Sequence, residues 1–289
     1  MSNIFHVIGN LEQSLHAAVA LTQTKVSPPT LTSAIEYAVF PGGARVRPQL
    51  CLSVSHACGN DDPQLSMRVA TAIELLHCAS LAHDDLPCFD NAATRRGMPS
   101  LHARFGERIA ILTGDALIIL AFQYLAQSDT RYLDRLTLLI QTLTTSVGSP
   151  YGLIAGQAWE SESDISLKQY HHAKTGALFV AASVAGAQAA GFDPTPWRVV
   201  GEHLGSAYQI ADDIRDVIGN ADDLGKPISQ DQKHQRPNAV HSTQLTDAID
   251  CFNTLIIKTV ESIPNCSHQQ FLKELVLQQA DRLIPKAAI

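Results

Sequence analysis

The stretch "LAHDDLPCFDNAATRRG", residues 81–97, sets Asp84, Asp85 and Asp90 a few positions before Arg95 and Arg96. A second acidic set, Asp212, Asp213 and Asp216, lies in "YQIADDIRDVIG". An adjacent pair of aspartates is ordinarily a solvated helix end. Here both sets interrupt strongly apolar stretches, and like charges that close repel one another and resist burial. They persist in such places when a cation neutralises them. Oxygen-only ligands favour Mg²⁺, Mn²⁺ or Ca²⁺ over zinc, and the spacing and central glycine of a calcium loop are absent. A few carboxylates with open positions suit Mg²⁺ shared with substrate phosphates. The neighbouring arginines would then bind phosphate oxygens directly.

Further cations stand in short polar interruptions: Arg45 and Arg47 in "PGGARVRP", Lys174 in "HHAKTGALF" and Lys226 in "DDLGKP". The "KTG" stretch reads as the opening of an apolar helix, whose N–H groups and dipole favour an anion. "PGGARVRP" alone is an ordinary turn, and His77 alone fits a core histidine equally well.

The elements that position these residues are helical nearly throughout. Apolar residues recur at three- and four-residue spacing in eight long stretches, separated by breakers such as "VSPPT", "FPGGARVRP", "GNDDPQ", "GSPYG", "FDPTP" and "ESIPNC". A helix over 68–86 carries His77, Ser80 and Asp84 on one stripe. Pro87 ends it near Leu86, so the turn can fold Asp90 back beside Asp84. Asp212 and Asp216 share a face one turn apart, with Tyr208 and Gln209 one turn earlier. Helices 108–126 and 176–190 are apolar on most sides and are expected inside. Alternating β-branched strands are hard to find. The pattern predicts one all-α domain of about ten helices over residues 1–289.

The chain has 289 residues, 45% hydrophobic and 17% charged, with a net charge of -7. That composition fits a globular protein with a large core, and the negative charge argues against nucleic acid. The N-terminus has no basic segment before an apolar run, so it does not read as a signal peptide. No stretch approaches about 20 uninterrupted apolar residues, the length of a membrane span. The six cysteines show no CxxC spacing and read as reduced thiols of a cytoplasmic protein.

From about Ala34 to Ala239 the chain resembles the short-chain trans-isoprenyl diphosphate synthases, the family of bacterial farnesyl and geranylgeranyl diphosphate synthases. "PGGARVRP" is similar to the family's GGKRxRP loop. Residues 73–107, "IELLHCASLAHDDLPCFDNAATRRGMPSLHARFGE", look like its first aspartate-rich region. "GQAWE" stands where a GQxxD element belongs, "HHAKTGALF" matches the KTG element, and "YQIADDIRDVIGNADDLGKP" is similar to the second aspartate-rich region.

The resemblance implies an all-α prenyl-synthase fold around a deep central cavity, usually as a homodimer, with three Mg²⁺ ions between the aspartate regions and Mn²⁺ as a substitute. Carried over by position, Asp84 and Asp90 would ligate metal with Asp85 in support, and Asp212 with Asp213 and Asp216 in support. Arg95, Lys174, Thr175, Gln209 and Lys226 would hold an allylic diphosphate. Arg47, His77 and Arg96 would hold isopentenyl diphosphate. The metals and cations would stabilise the leaving diphosphate, the apolar cavity would shield the allylic cation, and the double bond held alongside would attack it. Ala79 and Ser80, both small, would leave the floor open to chains beyond fifteen carbons unless Phe122 or Tyr124 closes it.

The chain departs from the family at four places. Ala44 replaces a lysine, Glu160 replaces the acid of GQxxD, Arg215 stands at a usually apolar position, and "QRPN" with Arg236 replaces a late lysine motif. A class I terpene cyclase is an alternative reading, but it needs no second diphosphate site. A non-catalytic subunit of another synthase is a third, and the intact aspartates count against it.

Overall fold

The computed structural model describes residues 2–40, 43–162, 166–218 and 245–284. Its helices are α1 (Ser2–Ala20), α2 (Pro29–Val39), α3 (Val46–Ala57), α4 (Pro63–Asp84), α5 (Leu101–Phe105), α6 (Glu107–Ala126) and α7 (Leu133–Val147). They continue with α8 (Leu153–Ala158), α9 (Leu167–His171), α10 (Ala177–Ala189), α11 (Thr195–Ile218), α12 (Leu245–Ser262) and α13 (Gln269–Leu283). The expected all-α architecture is present, with one small exception: β1 (Thr94–Arg95) pairs antiparallel with β2 (Met98–Pro99).

Two helices of more than ten residues, α2 and α3, lie outside the eight periodic stretches of the sequence. In α2, Pro29 occupies the first turn, where its missing N–H costs nothing, so the "SPPT" breaker starts a helix rather than ending one. In α3, Pro48 likewise sits in the first turn, and buried Ser53 and Ser55 hide the apolar periodicity.

Helix α10 lies at the centre, with every residue from Ala177 to Ala189 buried. It packs against α3, α7 and α11. Small residues allow this. Gly186 lies so close to α3 that an added Cβ would stand 2.4 Å from the Cys51 carbonyl oxygen. Leu75 and Leu76 on α4 and Leu139 and Leu143 on α7, helices that contact it, are each at most 1% exposed. Fully burying each contributes about 1.5–3 kcal/mol.

Helix α6 departs from the expectation of an interior helix. It packs on α4 through Leu117, Leu120, Ala121 and Leu125, while Ile111, Leu112 and Ile119 are exposed. A helix apolar all round needs cover on every side, and one chain covers only part of this one. By length and composition α4 and α6 could each cross a membrane, against the expectation that no stretch would. α4 is a core helix, with 72% of its most apolar window buried, and the corresponding share for α6 is 44%.

Candidate active site

A cavity of about 850 Å³ opens between α3, α4, α6, α8 and α11. Asp84, Asp90, Arg95, Arg96, Lys174, Thr175, Gln209, Asp212, Arg47, His77, Ala79 and Ser80 all line it, so the structure collects nearly every residue singled out in the sequence. Lys226 and Arg236 lie outside the described residues, as does the side chain of Asp216.

The first acidic region forms as expected. α4 ends at Asp84, and the Asp90 N–H donates to the Asp84 carbonyl at 2.9 Å, closing the turn that returns Asp90. Asp85 points elsewhere. It is 3% exposed and accepts from Arg95 Nε at 2.9 Å. Burial pushes its carboxyl pKa up, and the Arg95 hydrogen bond opposes that. Asp85 therefore holds Arg95 rather than facing the cavity. Arg96 and Gly97 form the two-residue loop of the β1–β2 hairpin, with φ of 54° and 73°. That is the pairing a tight hairpin turn of this twist requires. The turn carries the Arg96 guanidinium over the backbone of Gly43, 2.7 Å from where a Cβ would stand.

Lys174 lies in a π-helical turn, His172–Gly176, that joins α9 to α10 without a break. The expected helix N-terminus at "KTG" is not there. Leu167–His171 already forms a helix before it, so these N–H groups lie within a continuing helix. What the turn does is aim Lys174 at the acidic cluster. Its ammonium donates to Asp84 at 3.2 Å and also to Glu160. Gly156 makes this possible, since a Cβ there would lie 2.4 Å from the Lys174 backbone nitrogen. α8 thus crosses the π turn in close contact and delivers Gln157 and Glu160 to the same spot.

In the sequence Glu160 is only a departure from the GQxxD element, and in the structure it is central. It accepts from Tyr170 at 2.6 Å and Gln157 at 2.9 Å. Carboxylate oxygens of Asp84, Asp90 and Glu160 lie within 4.8 Å of one another. This all-oxygen set is what a hard divalent cation takes.

On α11, Asp212 faces the cavity and accepts from Arg215 at 3.2 Å. The unusual arginine thus sits against the cluster's leading aspartate. Asp213 is 2% exposed and accepts from Gln209 at 2.8 Å, while Gln209 accepts from Thr175. Asp213 therefore orders Gln209 and Thr175.

The opposite wall is cationic. Arg47 Nη1 lies 3.5 Å from His77 Nε2, and its guanidinium stacks over Phe179 at 4.6 Å and Tyr208 at 5.6 Å. Its Nε is buried with no hydrogen-bond partner among the described residues. Burial, followed by the field of Arg47, Arg96, Arg95 and Arg45, holds His77 well below the ordinary histidine pKa. An imidazole held toward its neutral form and a guanidinium whose Nε lacks a partner, facing one cavity, fit an incoming anion.

From Asp84 the cavity deepens past Ser80, Ala79 and Leu76 on α4, with Ile118 and Val147 opposite. Phe122 and Tyr124 are not among its lining residues. The Tyr124 hydroxyl bonds Ser14 at 2.9 Å, in the core beside α1.

Residues 28–271 match the Polyprenyl synthetase family. The chain is 47% identical over 275 residues to a geranylgeranyl diphosphate synthase of Cereibacter sphaeroides, covering 95% of this chain and 96% of the relative. It is 38% identical to a farnesyl diphosphate synthase of Geobacillus stearothermophilus, covering 78% and 82%. Among solved structures, a geranyltransferase from Helicobacter pylori complexed with magnesium and isoprenyl diphosphate matches with a TM-score of 0.81 at 28% identity, covering 95% and 97%.

Proposed function

Because the chain belongs to the polyprenyl synthetase family and is a trans-prenyltransferase that elongates prenyl chains, we propose that it joins isopentenyl diphosphate to dimethylallyl, geranyl or farnesyl diphosphate and carries the product to twenty carbons. One observation carries this reading. A single cavity has an acidic rim, a separate cationic wall and an apolar shaft between small side chains.

Asp84, Asp90 and Glu160 would hold Mg²⁺ from one side and Asp212 from the other, in the three-ion arrangement the resemblance implies, with Mn²⁺ as a substitute. Bound Mg²⁺ supplies positive charge against the departing diphosphate. Lys174 and Arg95 exchange their carboxylate partners for phosphate oxygens of the allylic substrate, and Thr175 and Gln209 orient them. Leu76, Ile118 and Val147 keep water from the allylic cation. Arg47, His77 and Arg96 hold isopentenyl diphosphate with its double bond beside that cation. The proton released then passes to the departing diphosphate.

The small Ala79 and Ser80 leave the shaft open below Asp84, which favours geranylgeranyl diphosphate, the product named for the Cereibacter relative. Exposed Leu112 and Ile119 on α6, with Leu133 and Leu138 on α7, favour a homodimer. The continuous core from α1 to α13 supports one polyprenyl synthetase domain over 1–289. Buried Cys58 and Cys78, their thiols pushed up to about 12 chiefly by burial, are unreactive, in keeping with a cytoplasmic protein.

The test is incubation of the purified chain with labelled isopentenyl diphosphate and each allylic diphosphate, then chromatography of the dephosphorylated products. Incorporation into C20 alcohol is expected. No incorporation with any allylic substrate sinks the reading.

A further inference from the structure

Arg45 stands two residues before Arg47, and its side chain is 2% exposed. It donates to Glu12 at 2.8 Å, Glu74 at 2.7 Å and the Val39 carbonyl at 2.8 Å. These partners come from α1, α4 and the end of α2, so one guanidinium ties three helices to the start of α3. The Arg45 backbone is left-handed, with φ of 48°, a conformation unfavourable for a residue other than glycine.

Glu74 explains why such an arrangement matters. Its side chain is 2% exposed, one turn before His77, in the same cavity wall as Arg47. A buried carboxylate there, left to itself, would pair with Arg47 or repel an arriving diphosphate. Arg45 takes up that charge, and Glu12, 34% exposed and so partly screened by water, fixes Arg45 from the outside.

We propose that Arg45 is a positioning residue: it masks Glu74 and thereby leaves Arg47 and His77 to the second diphosphate, with the N-terminal helix as its anchor. Glu12 lies outside the residues that match the family, 28–271, so the anchor belongs to a segment beyond the matched region. The inference rests on the proposed reading of Arg47 and His77 as isopentenyl diphosphate ligands.

Steady-state kinetics of the full chain test it, with thermal melting as the fold control. Arg45→Met should raise the isopentenyl diphosphate KM at least about tenfold, the size of a lost charge-assisted contact, and leave the allylic KM within about twofold. Adding Glu74→Gln should bring the isopentenyl KM back to within about threefold of wild type, because no carboxylate is left to capture Arg47. A double variant as impaired as Arg45→Met alone overturns the proposal, since a merely structural arginine gains nothing from losing its partner. If Arg45→Met does not fold, Glu74→Gln alone decides. An unchanged or lower isopentenyl KM supports the masking role, and a tenfold rise overturns it. Arg47→Ala is run alongside. A normal isopentenyl KM there overturns the underlying reading of the cationic wall. A raised one, with Arg45→Met normal, overturns only the role of Arg45.

Discussion

The two charged faces of the cavity are built in opposite ways. On the acidic rim the cations are already engaged: Lys174 by Asp84 and Glu160, Arg95 by Asp85. On the cationic wall Arg47 rests on Phe179 and Tyr208, and among the described residues it forms no ion pair. The nearby carboxylate, Glu74, is turned instead to Arg45. On the proposed reading, the rim would hand its carboxylates to a metal and its cations to a phosphate together. The wall would meet a phosphate directly through Arg47. On that reading, two diphosphates entering one cavity would be told apart by whether metal accompanies them.

The largest test of that contrast is to damage the rim alone. Asp84→Ala and Asp212→Ala should each lower kcat by at least about 10²–10³, the scale of one lost charge-stabilising group, and EDTA should abolish turnover until Mg²⁺ is restored. Near-normal turnover in either variant would break the assignment of the rim.

The shaft below the rim comes next. Ala79→Tyr puts a ring where a chain longer than fifteen carbons must pass, so the main product should shift from C20 to C15. Wild type stopping cleanly at C15 would place the gauge deeper, at Leu76, Ile118 or Val147.

On the cationic wall, burial and then the neighbouring guanidiniums hold His77 well below the ordinary histidine pKa, whereas an unfolded histidine takes a proton near pH 6.5. Its contribution to stability is therefore complete above that pH and is lost as the pH falls. Between pH 6.5 and 5 the loss reaches at most about 2 kcal/mol. Denaturant titrations at pH 7 and 5 should show a smaller drop for His77→Gln than for wild type. Equal drops would mean that His77 already carries a proton when folded.

The smallest effect concerns Ala44. By sequence alone, restoring the lysine should lower the isopentenyl diphosphate KM about tenfold or more. With Arg96 lying over Gly43, a lysine at 44 would stand beside another guanidinium, and the expected gain falls to about twofold or threefold. A full tenfold gain would mean that Arg96 moves away from this wall when substrate binds.

Much of this was legible in the sequence because it is local. Helical spacing places His77, Ser80 and Asp84 on one stripe, and Pro87 announces the turn that returns Asp90. What was not legible depends on chain crossings. Glu160 gains its meaning only because Gly156 lets α8 approach the π turn. Arg45 looked like one more loop cation, since nothing in "PGGARVRP" reveals that Glu12 and Glu74 converge on it. α6 reads as interior because periodicity reports how apolar a helix is, and says nothing of which chain covers it.

The π turn at His172–Gly176 acts as a phase shift in what is otherwise one continuous helix from Leu167 to Ala189. Each residue of an α-helix advances about 100° around the axis, so the extra residue offsets Tyr170 and Lys174 from the α10 face that packs in the core. The length of this segment is therefore as constrained as its composition. Deleting one residue from it would leave every apolar side chain of α10 available for the core, yet rotate the lysine by about a quarter-turn, away from Asp84 and Glu160.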